Sequence, residues 1–172
     1  MYREPTFAER ARLTLHRSFF RERLQRVAGE RALTDWLVEE ANVRGYFGAT
    51  GTSVPDRAPC AWLTDEQLVA ALLMPHAVLD VRLFKLVVRL LQAGKVDPQR
   101  LWLEARKERA DSTLFWLLQQ VPASEKTPAL ERLLPASAPR GYRPLPIEYD
   151  SRRLLKREAT KASTWKAARR SS

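Results

Sequence analysis

Few residues of this chain have both the type and the spacing that chemistry requires. His16, His76 and Cys60 supply its imidazoles and its thiol, and they fall in separate elements. A metal site needs several such ligands converging, so neither a metal nor a cofactor is expected. The lone thiol has no internal disulfide partner, which fits a reducing compartment, and Cys60 reads as a small apolar residue. For hydrolase chemistry there is no Gly-x-Ser-x-Gly elbow, and nothing pairs a base with the thiol. Gly45, Gly48 and Gly51 punctuate VRGYFGATGTSVPDRAPC, but no Gly-Lys-Ser/Thr follows and no strand precedes, so this is not the form of a phosphate or dinucleotide cradle. Connections of that length inside a domain are usually functional. Adjacent carboxylates at Glu39-Glu40 and Asp65-Glu66 lie on amphipathic helices, where solvated surface charge is the expectation.

Arg10 and His16 enclose five residues in an all-helical chain. That spacing resembles the Arg-x4-6-His element of HEPN ribonucleases, and the resemblance implies a HEPN-like ribonuclease as a third reading of function. Ala11 stands where those proteins often have a polar residue. On an unbroken helix the six-residue offset sets the two side chains about 120° apart, so convergence would need a helical irregularity or a dimer partner. Residues 65 to 93 admit a helix-turn-helix overlay with Arg82, Lys85 and Arg89 as a secondary basic strip. Its second helix is strongly apolar, and Gln92 alone could read base edges.

Charge carries more information than any motif. Residues 1 to 60 hold ten Lys+Arg against eight Asp+Glu, residues 61 to 134 ten against nine, and residues 135 to 172 ten against three. The chain's net charge of +10 is therefore concentrated at the C-terminal end of a nearly neutral body. Pro135, Pro139, Pro144 and Pro146 predict an extended strap rather than a helix. Beyond Asp150, SRRLLKREATKASTWKAARRSS forms a basic tail, partly disordered or conditionally helical. As a helix it would bring Leu154, Leu155, Ala162 and Trp165 within about 100° of one another. Around them lie Arg152, Arg153, Lys156, Arg157, Lys161, Lys166, Arg169 and Arg170. Those cations with Trp165 are the candidate contacts to nucleic acid or an acidic partner, and Leu154 and Leu155 the candidate partner anchors.

The elements that must position these residues read as helices. Residues 7 to 28 place Leu13, Phe20, Leu24 and Val27 within about 60°, the stripe of one long amphipathic helix ended by Gly29. Arg10, Arg17 and Arg21 line one flank of that stripe, Arg12 and Arg23 the other. A second helix, 31 to 43, buries Leu33, Trp36, Leu37 and Ala41. Thr64 with Gln67 predicts a capping box, and Pro75 stops that helix. Asp80 caps a helix over 81 to 93 whose narrow wet face is Arg82, Lys85, Arg89 and Gln92, with Gly94 closing it. Further helices are expected over 98 to 109, 112 to 121 and from Thr127-Pro128 onward. VAALLMP and WLLQQVP echo each other 47 residues apart, as in HEAT-like helical pairs, but two copies fall short of a solenoid.

These readings give an all-α chain: an irregular bundle of six or seven helices over residues 1–134, a Pro-rich strap over 135–150 and the basic tail over 151–172. The longest charge-free stretches are 13 residues, short of the ~20 that a membrane-spanning helix needs. The opening MYREPTFAERARL is broken by charge, so no signal peptide or lipid-attachment motif is expected and the expected location is cytoplasmic. The favoured function is a non-enzymatic adaptor that binds a protein partner and contacts nucleic acid or an acidic surface through its arm. An antitoxin- or immunity-like regulator masking a partner enzyme is the alternative. Because caps and apolar periodicity lie in the body, truncation after Pro146 should leave the helical circular dichroism and a cooperative melt intact. Loss of the cooperative transition would show that the removed residues complete the core.

Overall fold

The computed structural model describes residues 18–46, 56–74 and 81–145. The described residues form seven α-helices, with no strand among them. These are α1 (Phe19–Ala28), α2 (Leu33–Val43), α3 (Asp65–Leu73), α4 (Val81–Gln92), α5 (Pro98–Lys107), α6 (Asp111–Gln120) and α7 (Pro128–Glu131), with a 3-10 turn at Ala123–Glu125 before α7. None is long and apolar enough to cross a membrane.

Local chemistry accounts for most of the boundaries. Thr64 accepts from the Gln67 N–H while the Gln67 side chain accepts from the Thr64 N–H, the reciprocal cap expected of this sequence. Asp97 caps α5 through the Arg100 N–H at 2.8 Å, with Pro98 in the first turn. Thr127 and Pro128 repeat that arrangement at α7. Helix α5 ends two residues earlier than periodicity suggests. Arg109 adopts φ 57°, and the Ala110 N–H reaches back to the Ala105 carbonyl at 2.7 Å, closing the helix with a left-handed turn built on a non-glycine residue.

The N-terminal helix differs from its sequence pattern. A single helix over 7 to 28 is not what forms, because Ser18 has extended backbone (φ −80°, ψ 149°) and caps α1, its hydroxyl accepting from the Arg21 N–H. The same hydroxyl donates to Glu108 at 2.7 Å, so the start of α1 is tied to the end of α5. The buried face also differs from the expected stripe. Leu24 and Ala28 are buried, Phe20 is half-buried, and Val27, expected in the core stripe, is 43% exposed.

Helix α4 runs through the centre. Leu83, Phe84, Leu86, Val87, Val88, Leu90 and Leu91 are all buried, and Phe84 packs on Trp116 of α6 with ring centroids 5.4 Å apart. The wet face expected of it is narrower still. Arg82 and Arg89 are exposed, but Lys85 is only 8% exposed. Further along the same face, Gln92 donates to the Glu125 carbonyl at 2.9 Å, tying the end of α4 to the turn after α6. Trp102 stays half-buried because its indole N–H is held by the Leu133 carbonyl. In the strap, Tyr142 stands edge-on to Phe115, and it and Leu145 pack against the core.

This burial sets a pair of contrasting expectations. Leu90→Ala removes a fully buried side chain and should cost about 2 to 5 kcal/mol in a denaturant melt. Leu103→Ala, at a side chain 51% exposed on α5, should stay within about 0.5 kcal/mol. Equal losses at the two positions would contradict the packing.

Candidate functional site

The densest polar constellation among the described residues is built on the two carboxylate pairs. Neither is the solvated surface charge expected from sequence. In the first, Glu39 pairs with Arg31 at the surface while Glu40 is fully buried. In the second, Asp65 is half-buried and Glu66 is buried, accepting from the Asp97 N–H at 3.0 Å and so joining α3 to the start of α5. Glu40 was misjudged because it occupies a core position: Trp36, Leu37, Glu40, Ala41 and Arg44 share one stripe of α2 at helical spacing. A carboxylate in an apolar stripe, four residues before an arginine, was the available signal.

Glu40 is the centre of the constellation. One oxygen accepts from Arg44 Nε at 2.9 Å and from the Cys60 N–H at 2.8 Å, and the other accepts from Arg57 Nη1 at 2.7 Å. Arg44 then spans to the next element. It donates to Asp65 at 2.7 Å, to the Leu63 carbonyl at 2.6 Å and to the Cys60 carbonyl at 3.2 Å. The Tyr46 hydroxyl donates to the other Asp65 oxygen at 2.9 Å. Arg57 also lies over the Trp36 ring at 5.6 Å, with Nε and Nη2 buried and without hydrogen-bond partners among the described residues.

The electrostatics follow from these bonds. Burial is the largest influence on Glu40 and would raise its pKa, but the bonds from Arg57, the Cys60 N–H and Arg44 together outweigh it and hold the carboxyl below its ordinary value. Burial alone would lower the Arg44 pKa, and Asp65 and Glu40 reverse that and raise it. Burial and then the bond to Asp65 push the Tyr46 phenol up to about 12. A carboxylate kept ionised with its lone pairs occupied is a poor base, and a phenol held so high is a poor acid. The arrangement is a fastener. It binds both described ends of the glycine-containing connection, residues 44–46 and 56–60, to α2 and α3.

The other sequence-derived candidates fall in three groups. The tail cations, Trp165, Leu154 and Leu155 lie outside the described residues, as do Arg10, His16, His76, the caps expected at Pro75 and Asp80, and residues 47–55 of the connection. Arg82 and Arg89 are exposed two turns apart on α4, while Lys85 between them is buried. Cys60 contributes its backbone to the fastener and packs its side chain against the core. No group of His, Cys, Asp and Glu able to hold a metal occurs among the described residues.

Of the arginines that the sequence places on the flanks of the first apolar stripe, Arg21 and Arg23 fall among the described residues. Arg23 of α1 lies flat over the Trp62 ring at 3.9 Å, and Phe20 meets the same ring edge-on with centroids 6.2 Å apart. Comparison with family models, curated proteins and solved structures finds no match for the chain.

The fastener predicts a strong and pH-dependent effect. Glu40→Ala leaves Arg44 and Arg57 without their buried counter-charge and should cost about 3 to 5 kcal/mol. Because the folded carboxyl has a lowered pKa, its stabilisation is present above the ordinary value of 4.5 and is lost as pH falls through the folded one. Acid melts of Glu40→Gln should therefore lose less stability on acidification than the native chain does. For Tyr46 the sign is opposite: its stabilisation is complete below pH 10.0 and fades as pH rises through about 12. Tyr46→Phe should flatten that alkaline limb, and unchanged limbs in both variants would refute the network.

Proposed function

We propose that the protein is a non-enzymatic helical adaptor of the cytoplasm, with a body that binds a protein partner and a basic C-terminal arm that engages a polyanion. The observation that carries this reading is how the charge is divided along the chain. Ten Lys+Arg stand against three Asp+Glu beyond residue 134, while residues 1 to 134 are nearly neutral. Within the body, Glu40, Glu66 and Glu108 are buried in joining elements, and exposed Arg26, Arg100, Arg106 and Arg109 make no ion pair among the described residues. Nucleic acid, through its phosphates, is the polyanion whose affinity such an excess most directly raises.

The test is a titration of the full chain against labelled single- and double-stranded nucleic acid at about 50 and 200 mM salt. Affinity should fall steeply, with a log-log slope of roughly −0.7 to −0.9 per phosphate contacted, and Arg152→Ala/Arg153→Ala should make the slope shallower. A shallow salt response with strong losses on truncating Leu154, Leu155 and Trp165 would instead make the arm a protein-docking helix. No binding at the lower salt would overturn the nucleic-acid part of the proposal.

A further inference from the structure

We infer that nucleic-acid contact begins on the folded body, at a turn of the strap where Tyr142 is pinned to α6 and Arg140 and Arg143 are held outward as a pre-organised pair of phosphate contacts. The inference rests on the polyanion reading above and extends it from the tail to residues of defined structure. Ten Lys+Arg lie beyond residue 134, and these two are the ones that fall among the described residues. From Arg132 to Ile147 the chain holds three arginines and no acid.

The turn is fixed by its own backbone and by two side chains. The Tyr142 N–H donates to the Pro139 carbonyl at 3.0 Å, and Gly141 takes φ 76°, a conformation that favours glycine. The Tyr142 ring meets Phe115 edge-on with centroids 4.9 Å apart, and its hydroxyl reaches the Gln119 side-chain oxygen at 3.4 Å. Three residues further on, Leu145 packs against the core. Pro139, Tyr142 and Leu145 are accordingly half-buried, while Arg140, Gly141, Arg143 and Pro144 between them are exposed. Burial at every third residue leaves Arg140 and Arg143, themselves three apart, on the outward side.

Neither arginine is spent within the body. Arg140 and Arg143 make no ion pair among the described residues, in contrast to Arg31, Arg44 and Arg57. Helix α6, on which the turn rests, has one charged residue, Asp111, at its start. The nearest acids in sequence are Glu131 on α7 and, beyond the described residues, Glu148 and Asp150. Because the backbone is already pinned, binding need not order it, and the pair contributes affinity at a lower entropic cost than the same charges on a flexible segment. Nine residues separate Arg143 from Arg152, a span of at most about 30 Å, so one polyanion can engage the turn and the tail together.

An acidic peptide is the competing occupant. Nucleic acid is favoured because both cations are arginines, whose planar forks donate to phosphate oxygens in pairs. The turn also exposes no large apolar side chain on which a peptide would anchor: among the described residues those are Phe19, Val27 and Leu103.

The experiment uses the full chain and labelled single- and double-stranded DNA, read on whichever form the unmodified chain binds. Arg140→Ala/Arg143→Ala changes two exposed side chains and should leave the thermal melt unchanged. Its affinity at about 50 mM salt should fall roughly tenfold, with a salt slope smaller by roughly 1.4 to 1.8, two phosphate contacts having gone. Gly141→Ala and Tyr142→Ala keep every cation but disturb the turn, and each should weaken binding about threefold to tenfold. Tyr142→Phe keeps the ring against Phe115 and should bind as the unmodified chain does. Unchanged affinity and slope in the double arginine variant, with loss only in Arg152→Ala/Arg153→Ala, would overturn the inference while leaving the polyanion reading standing. Full affinity in both Gly141→Ala and Tyr142→Ala would overturn the pre-organisation of the pair. Failure of the unmodified chain to bind at about 50 mM salt would overturn both the inference and the reading beneath it. Binding of polyglutamate in place of DNA, lost in the double arginine variant, would overturn the phosphate assignment of the turn.

Discussion

A buried carboxylate placed in the middle of an apolar helical face is the constraint on which this structure turns. Removing Glu40 from water is unfavourable, and the cost is met only if every lone pair finds a donor. Those donors come from three places: Arg44 on the same helix, Arg57 from the returning connection, and the Cys60 backbone. Arg44 in turn needs Asp65 and two backbone carbonyls, so satisfying one acid fixes the packing of α2, the entry to α3 and the ends of the connection together. The network specifies an arrangement as much as it stabilises one, because any other register would strand a charge.

The same logic recurs on a smaller scale at the other buried acids. Glu66 meets the Asp97 N–H and Glu108 meets the Ser18 hydroxyl. Each joins the start or end of one helix to a segment distant in sequence, where helix termini offer unsatisfied groups. Around these polar ties, α4 supplies the apolar centre against which α3, α6 and α7 close. The bundle thus combines a dry middle with acids at its joints, and Arg44 and Arg57 turn inward to meet the most buried of them.

The surface is mixed in charge. Three acids, Glu40, Glu66 and Glu108, are drawn inward, while Glu22, Glu30, Asp35, Asp56, Asp97 and Glu131 stay exposed among the surface arginines. The outer face of α1 presents Phe19 and Arg26, and Arg23 lies stacked on Trp62.

The sequence alone determined the helical class, the capping box at Thr64, the helix starts at Pro98 and Pro128, and the apolar character of α4, since these depend on neighbours within one or two turns. It also exposed the contrast between a near-neutral body and a basic C-terminal end. Tertiary structure decided whether charged residues on helical faces were wet or dry. Arg57 and the Cys60 backbone fold back onto buried Glu40, Lys85 is buried on the face expected to be wet, and Val27 is exposed on the face expected to be dry. Helical periodicity shows which residues share a face, but what covers that face is chosen by segments many residues away. The stack of Arg23 and Phe20 on Trp62 was hidden for the same reason: its members come together only after α1 has docked.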